Sequence, residues 1–317
     1  MSIDATPLPA GGDNRPKVST DLLQVRHVTS YRYRMPVKFG PHRAMFRPHQ
    51  TNDLNLTSFE ITTTPDSTHR WMHDVFSNSR VVLDFSAAAP SEILTVACLF
   101  SVVRTTIHEQ SFPILEFART YPFAYPDEQW TDLQPTAQPE FDDADGMVED
   151  WARSFFDLAN GDTWGLLQAM NTGVHQGFHY VRREEPGVRS PRETLRRGEG
   201  SCRDFATLMI EGARRLGFAA RFVTGYLYDP MADIKESGMK GAGATHAWVQ
   251  IFLPGAGWIE FDPTNGLIAS GNLIRTGVAR THAQAVPLEG SFKGAFEDFL
   301  GMDVEVDVTA LAPTLYG

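Results

Sequence analysis

A change in hydrophobic pattern divides this chain of 317 residues into two differently built parts. From residue 22 to about residue 110, Val, Ile, Thr, Phe and Tyr dominate short segments such as NLTSFEITTTP and SRVVLDFSA, which Pro, Asn, Asp and Gly separate. Several short strands at such spacing are typical of an antiparallel sheet or sandwich. After residue 146, apolar residues recur near helical spacing before further strand-like segments appear. The pattern predicts an α+β protein whose N-terminal domain is β-rich and sandwich-like.

The same pattern predicts four consecutive parts of the chain. We expect a flexible leader at residues 1–21 and a β-rich domain at residues 22–115. Residues 116–146 carry several prolines and many acids and are interpreted as a linker. Residues 147–317 are interpreted as the core that holds the functional residues, with a β-like extension at its C-terminal end.

Charge and composition exclude several classes of function. Against 39 acidic residues the chain has 28 Lys and Arg residues, and the net charge of −11 gives no attraction to nucleic acid or to an anionic membrane. No run of about 18 apolar residues predicts a membrane span, and the N-terminus lacks the pattern of a secretory signal. Two cysteines make neither a disulfide framework nor a structural zinc site. We expect a cytoplasmic protein without metal or cofactor, and the sequence leaves its oligomeric state open.

The two cysteines stand in different settings. Cys98 lies in the apolar run ILTVACLFSVV, where we expect it to be a core residue. Cys202 lies in GEGSCRDFATLMIEGARRLGF, at the start of an amphipathic helix that Gly217 ends. Ser201 and Asp204 resemble a capping box there. The first turn of a helix favours negative charge, and a thiolate is the nucleophilic form of cysteine. This helix alone leaves two interpretations open, a nucleophile or a small residue tolerated in a first turn.

A histidine and a carboxylate follow in a predicted hairpin, as a cysteine nucleophile requires. HAWVQIFL and GWIEFD read as two strands joined by PGA; His246 opens the first strand and Asp262 closes the second. A three-residue loop places Leu253 opposite Gly257, and His246 and Asp262 are then diagonal neighbours on one face. A four-residue loop would place them on opposite faces unless a bulge intervened.

At these residues the chain resembles a known family. GEGSCRDFATLMIEGARRLGFAARFVTGYLY and GATHAWVQIFLPGAGWIEFDPTNG closely resemble the bacterial transglutaminase-like proteins, which are often described as candidate cysteine proteases. The resemblance covers about residues 165–267, and YRYRMPVKFGPHRAMFRP resembles the β-rich domain that precedes this core in the same family. The segment ARTHAQAVPLEG departs from the family's pattern, so no substrate contact is carried over from it.

The resemblance implies a papain-like core with a Cys-His-Asp triad. Cys202 corresponds to the nucleophile, His246 to the base and Asp262 to the acid that orients it. Thiolate attack on an amide carbonyl then leaves a thioester, which water hydrolyses or an amine converts to a new amide. The implied substrate is a peptide or protein amide. The sequence favours hydrolysis, because nothing marks an amine-binding site, and leaves transamidation and a non-catalytic binding module as alternatives.

Further residues near these motifs have open roles. The backbone N–H of the nucleophile would hold the oxyanion together with one further donor, for which Gln176, His179 and Tyr180 are candidates. Trp248 and Trp258 flank the proposed site and are interpreted either as core aromatics or as walls of the acyl-group cleft. His175 lies four residues before His179, but the Glu of an H-E-x-x-H zinc motif is absent. The glycine-containing loop 229–244 is interpreted as a connector or a lid.

Overall fold

The structure is a computed structural model that describes residues 18–107, 112–183, 185–230 and 244–311. The predicted leader therefore lies largely outside the described residues, as does most of the loop 229–244. The helices are α1 (Glu116–Arg119), α2 (Asp127–Ala137), α3 (Met147–Arg153), α4 (Phe156–Ala159), α5 (Thr163–Gly177), α6 (Pro191–Arg197) and α7 (Cys202–Arg215). The strands are β1 (Val18–Phe39), β2 (His42–Ala44), β3 (Leu54–Thr64), β4 (Thr68–His73), β5 (Ser79–Asp84), β6 (Ser91–Ile107), β7 (His179–Tyr180), β8 (Glu199–Gly200), β9 (Ala220–Leu227), β10 (His246–Leu253), β11 (Gly257–Asp262), β12 (Leu267–Ile268), β13 (Leu273–Ala279), β14 (Leu288–Glu289), β15 (Phe292–Lys293) and β16 (Phe299–Leu311).

Two antiparallel sheets form the β-rich N-terminal part. One has the order β15-β1-β6-β3, with β16 also paired to β1, and the other has the order β14-β2-β5-β4. Alternation of apolar residues creates the core that the two sheets share. Along β6 the alternate residues Leu94, Val96, Cys98, Phe100 and Val102 are each at most 2% exposed. Cys98 is thus a core residue, as predicted, and the α+β fold class is confirmed.

The C-terminal extension returns to the N-terminal sheets. β16 pairs antiparallel with β1 from Leu22 opposite Leu311 to Tyr33 opposite Phe299. The short strands β14 and β15 pair with β2 and β1. The chain therefore leaves the β-rich part after β6 and comes back to it at β14.

The segment interpreted as a linker is helical in part and packs on the core. Residues 116–146 contain α1 and α2. Tyr121 stacks on Phe218 with ring centroids 5.5 Å apart and donates a hydrogen bond to the Leu216 carbonyl. Tyr125 donates to the carbonyl of Phe252 at 2.8 Å. These contacts fix the segment against both α7 and β10, because aromatic side chains with a hydroxyl can fill a core and still satisfy a polar group.

A second five-stranded sheet, of order β12-β11-β10-β9-β13, carries the core of the C-terminal part. Helix α7 packs against one face of β10, where Ala247, Val249, Ile251 and Leu253 are at most 2% exposed. Trp248, which alternates with these residues, packs with Val223 and Val278 on the other side of the sheet. In the part of the chain that the structure describes, no helix has the length and apolar character to cross a membrane.

Candidate active site

Cys202 occupies the first position of the buried helix α7. Ser201 precedes it with an extended backbone conformation, and the Asp204 carboxylate accepts hydrogen bonds from the Ser201 backbone N–H at 2.8 Å and hydroxyl at 2.9 Å. The carboxylate thus fixes the entry of the chain into the helix, as the capping pattern predicts. The first backbone N–H groups of a helix have no acceptor within it, so the N–H of Cys202 is available to a ligand. Cys202 is 8% exposed.

The Asp204 carboxylate also anchors the segment that precedes the cysteine. The sequence analysis did not predict this contact. Asp204 is fully buried and accepts two hydrogen bonds from the Arg183 guanidinium, at 2.8 and 2.9 Å, and one from the Arg189 backbone N–H at 2.7 Å. Although burial would raise the pKa of Asp204, the hydrogen bonds from Ser201, Arg189 and Arg183 lower it. The charged segment before the cysteine is therefore attached to the start of α7.

The hairpin that carries the histidine and the aspartate has the three-residue loop on which the sequence argument depends. Leu253 lies opposite Gly257, and Val249 lies opposite Phe261. Continuing this register places Asp262 on the same face as His246, two positions along the neighbouring strand. The predicted register is confirmed, and the alternative four-residue loop is excluded.

His246 and Asp262 form a buried pair. His246 Nε2 lies 2.9 Å from Asp262 Oδ2, and both side chains are fully buried. Burial lowers the pKa of His246, but the charge and hydrogen bond of Asp262 and the adjacent Cys202 thiol outweigh it and raise the pKa well above its usual value. The pKa of Asp262 is lowered: burial would raise it, but the charge of His246 and the hydrogen bonds from His246, Asn265 and Thr264 together outweigh this effect. The pair therefore favours an imidazolium beside a carboxylate.

The Asp262 carboxylate is held by the chain that follows it. Its Oδ1 accepts from the backbone N–H groups of Thr264 at 3.0 Å and Asn265 at 3.3 Å, and its Oδ2 also accepts from the Asn265 side-chain amide at 2.8 Å. With His246 these bonds occupy both oxygens. A carboxylate whose two oxygens both accept hydrogen bonds is held in one orientation. It therefore also fixes the orientation of the His246 ring.

The Cys202 thiol lies near His246 and influences its pKa. Nδ1, the ring nitrogen that is not bonded to Asp262, is buried and has no hydrogen-bond partner among the described residues. Cys202 is nevertheless close enough to raise the pKa of His246 by its charge and by a polar contact. The contact is therefore looser than a full hydrogen bond. His246 thus has two neighbours that raise its pKa, the Asp262 carboxylate and the Cys202 thiol.

Among the candidate oxyanion donors, Tyr180 lies close enough to Cys202 for the charge of the thiol to influence its pKa. Burial and the charge of Cys202 raise the pKa of Tyr180 to about 12. Its strand β7 pairs in parallel with β8, with Tyr180 opposite Gly200, directly before the start of α7. Gln176 and His179 are exposed. The raised pKa keeps the Tyr180 hydroxyl protonated at neutral pH and able to donate a hydrogen bond.

The two tryptophans do not form walls of an open cleft. Trp248 is 0% exposed and stacks behind His246, with ring centroids 5.9 Å apart and planes at 26°. Trp258 lies opposite Phe252, six residues along β10 from His246, which is roughly 20 Å at the rise of a strand. The guanidinium of Arg221 lies 4.0 Å from the centroid of the Trp258 ring. Trp248 thus packs against the ring of His246, while Trp258 lies near the loop of the hairpin, at the end opposite to His246.

His175 contacts the loop that follows Asp262. Its Nδ1 lies 2.9 Å from the Thr264 carbonyl oxygen. In the described ranges, no group of three or more His, Cys, Asp or Glu side chains is arranged to hold a metal ion. His175 therefore packs beneath the Asp262 turn.

Comparisons with known proteins place both parts of the chain. Residues 149–263 match the transglutaminase-like superfamily, and residues 23–103 match the bacterial transglutaminase-like N-terminal region. An uncharacterized protein of Mycobacterium leprae is 28% identical over 307 residues, which cover 92% of this chain and 99% of that protein. One from Mycobacterium tuberculosis is 28% identical over 97% of both chains. The crystal structure of a candidate cysteine protease from Cytophaga hutchinsonii shares the fold, with a TM-score of 0.70 and 18% identity over 93% of each chain.

Proposed function

Because the chain belongs to the transglutaminase-like superfamily, we propose that it is an amide-bond hydrolase in which Cys202 attacks the substrate carbonyl. The observation that carries the proposal is the buried hydrogen bond between His246 and Asp262 beside a cysteine at the first position of a helix. All three residues fall inside the matched core, residues 149–263. Burying a charged pair costs desolvation energy. A catalytic role for His246 would explain why the chain retains such a pair.

The chemistry follows from the two nitrogens of the histidine. His246 Nδ1 takes the thiol proton of Cys202, and Asp262 stabilises the resulting imidazolium at Nε2. The thiolate forms a bond to the amide carbonyl carbon, and the electron pair of the carbonyl moves to its oxygen. As the tetrahedral intermediate collapses, the C–N bond breaks and His246 returns the proton to the departing amine. A thioester remains on Cys202.

Water completes the reaction by the same route in reverse. His246 removes a proton from the water, whose oxygen attacks the thioester carbonyl, and Cys202 leaves as a thiol when it regains the proton. The product is a carboxylic acid. An amine in place of water gives a transamidation product from the same thioester.

We assign the oxyanion to the Cys202 backbone N–H and the Tyr180 hydroxyl. The first donor is free of intrahelical bonds, and the second stays protonated because of its raised pKa. Two hydrogen-bond donors directed at the negative oxygen would stabilise it in the transition state. Replacing Tyr180 by Phe removes the hydroxyl and keeps the ring that packs on Phe205.

Hydrolysis of casein, followed by the appearance of new amino groups and ammonia, tests the proposal. We expect the wild-type protein to be active and the Cys202→Ala and His246→Ala variants to be inactive. Cys98→Ala is the matched control, because it removes the other thiol from the core of the β-rich part and leaves the site intact. Equal activity of the wild-type and Cys202→Ala proteins would contradict the proposal.

The same incubation with a labelled primary amine separates hydrolysis from transamidation. Under the proposal, ammonia and new amino groups form faster than label enters casein. Incorporation that exceeds hydrolysis would assign the thioester to amine transfer instead. Both results require Cys202, so they differ from the outcome in which the protein only binds.

A further inference from the structure

Positive charge is concentrated in the segment that leads to Cys202. Between residues 182 and 203 there are seven arginines and four glutamates, in a chain whose net charge is −11. The segment contains the following arginines: Arg182, Arg183, Arg189, Arg192, Arg196, Arg197 and Arg203. A local excess of one sign beside a reactive group attracts ligands of the opposite sign.

Five of these arginines are neutralised by carboxylates. Arg183 pairs with the buried Asp204, and Arg189 pairs with Glu199. The remaining pairs lie on or next to α6: Arg192 and Arg196 with Asp145, and Arg197 with Glu193. Among the described residues, only Arg182 and Arg203 of this segment lack a carboxylate partner. Arg182 and Arg203 are therefore the arginines of this segment whose charge no described carboxylate compensates.

The parallel ladder between β7 and β8 places Arg182 at the cysteine. His179 lies opposite Glu199 and Tyr180 opposite Gly200, and the backbone N–H of Val181 donates to the Gly200 carbonyl at 2.9 Å. The ladder ends there, and Arg182 follows Tyr180 by two residues, as Cys202 follows Gly200, so the two residues leave neighbouring strands at the same end. The side chain of Arg182 is exposed, so its guanidinium is available to a ligand.

Arg203 is fixed beside the same position. Its Nη2 donates to the carbonyl oxygens of Arg183 at 3.1 Å and Glu185 at 2.9 Å. Carbonyl groups orient the guanidinium but do not neutralise its charge. The charges of Arg182 and Arg203 both act on Tyr180, as does the charge of Cys202. The two arginines, the tyrosine and the thiol thus share one neighbourhood.

We propose that Arg182 and Arg203 form a cationic rim at Cys202 that selects substrates with a carboxylate next to the scissile amide. The inference rests on the proposed function, since it takes Cys202 as the nucleophile. Guanidinium groups bind carboxylates through charge and paired hydrogen bonds. An acyl donor with a free carboxylate beside the reacting carbonyl would be held by the rim while the thiolate attacks.

Alkylation of Cys202 by two reagents of nearly equal size tests the rim without a known substrate. Iodoacetate carries a carboxylate and iodoacetamide a neutral amide, and with each reagent the thiolate displaces iodide and forms a thioether. Cys98 does not compete, because burial raises the pKa of its thiol well above the usual value. The quantity measured is the ratio of the rate with iodoacetate to the rate with iodoacetamide, by peptide mass at low salt.

We expect Arg182→Gln to lower this ratio by roughly two- to fivefold, the range for one exposed charge pair, and Arg182→Glu to lower it further. High salt should reduce the difference between the proteins, because it screens exposed charges. Arg196→Gln is the matched control: it removes another exposed arginine of the same segment, which lies on α6 and pairs with Asp145.

The outcomes separate the two proposals. An unchanged ratio in Arg182→Gln and Arg182→Glu, with Cys202 still alkylated by iodoacetamide, would overturn the rim and leave the proposed function in place. An equal fall in Arg196→Gln would also overturn it, because the effect would then be one of net charge. Failure of both reagents to label Cys202 in the wild-type protein would contradict the proposed function and the rim together.

Discussion

Replacing Asp262 by Asn should lower the pKa of His246. The substitution keeps the shape of the side chain and the acceptor for the backbone N–H groups of Thr264 and Asn265, but it removes the negative charge 2.9 Å from His246 Nε2. A hydrogen bond to a charged group contributes about 1.5–3 kcal/mol, which corresponds to roughly one to two pKa units. Burial, which lowers the pKa, then becomes the dominant influence on the histidine.

Nuclear magnetic resonance of the ¹⁵N-labelled imidazole rings measures this change directly. The His246 signals are identified by their loss in His246→Gln and followed from pH 5 to pH 10 in the wild-type and Asp262→Asn proteins. Glu260→Gln is the control, since Glu260 is a carboxylate two residues earlier on β11 that pairs with Arg275. A His246 titration at the same pH in wild-type and Asp262→Asn proteins would refute the assignment of Asp262 as its partner.

The same pair predicts how folding stability depends on pH. The folded-state pKa of Asp262 is below its usual value of 3.8, so its contribution is present above that pH and is lost as the pH falls through the lowered pKa. The folded-state pKa of His246 is above 6.5, so its contribution is complete below that pH and is lost as the pH rises through the raised pKa. The excess stability of wild type over Asp262→Asn should therefore be largest between pH 3.8 and 6.5 in urea denaturation.

Two further substitutions test the support of the site. Gly225→Ala should destabilise the fold by about 1–3 kcal/mol or more, as overpacking does, because its Cβ would lie 2.1 Å from the Ile274 carbonyl oxygen; an unchanged melting temperature would contradict the close approach. Asp204→Asn should cost on the order of 3 kcal/mol, since it leaves the Arg183 charge without its buried partner. It should also release the Arg189 backbone, so limited proteolysis should cut this segment faster than in wild type.

Local rules account for the part of the site that the sequence predicted. Side chains in a strand alternate with a period of two, so the length of one loop decided which face His246 and Asp262 share. The same register arithmetic places Trp258 opposite Phe252, and applying it to that residue would have removed Trp258 from the cleft candidates. The start of α7 was predicted because capping is also a local pattern.

Contacts between residues far apart in the chain were not predicted from the sequence. Asp204 bonds to Arg183 and to the backbone of Arg189, and neither partner follows from helical or strand periodicity. In the same way, composition suggested a linker at residues 116–146, while the hydroxyls of Tyr121 and Tyr125 tie that segment to the core. Pairing of this kind depends on the tertiary fold, which a pattern of single residues does not specify.

The pairing of β1 with β16 has a consequence for the folding of the chain and for the expression of fragments. Arg26 reaches Asp307 across 281 positions of sequence, so this sheet gains one of its strands only after the intervening core has been synthesised. Contacts of such long sequence separation slow folding, because the loop they close must lose its freedom first. A fragment that stops before residue 299 would leave one side of β1 as an open strand edge over Leu22–Tyr33, a template for association with other chains. Expression of the β-rich part by itself therefore needs residues 288–311 joined to it.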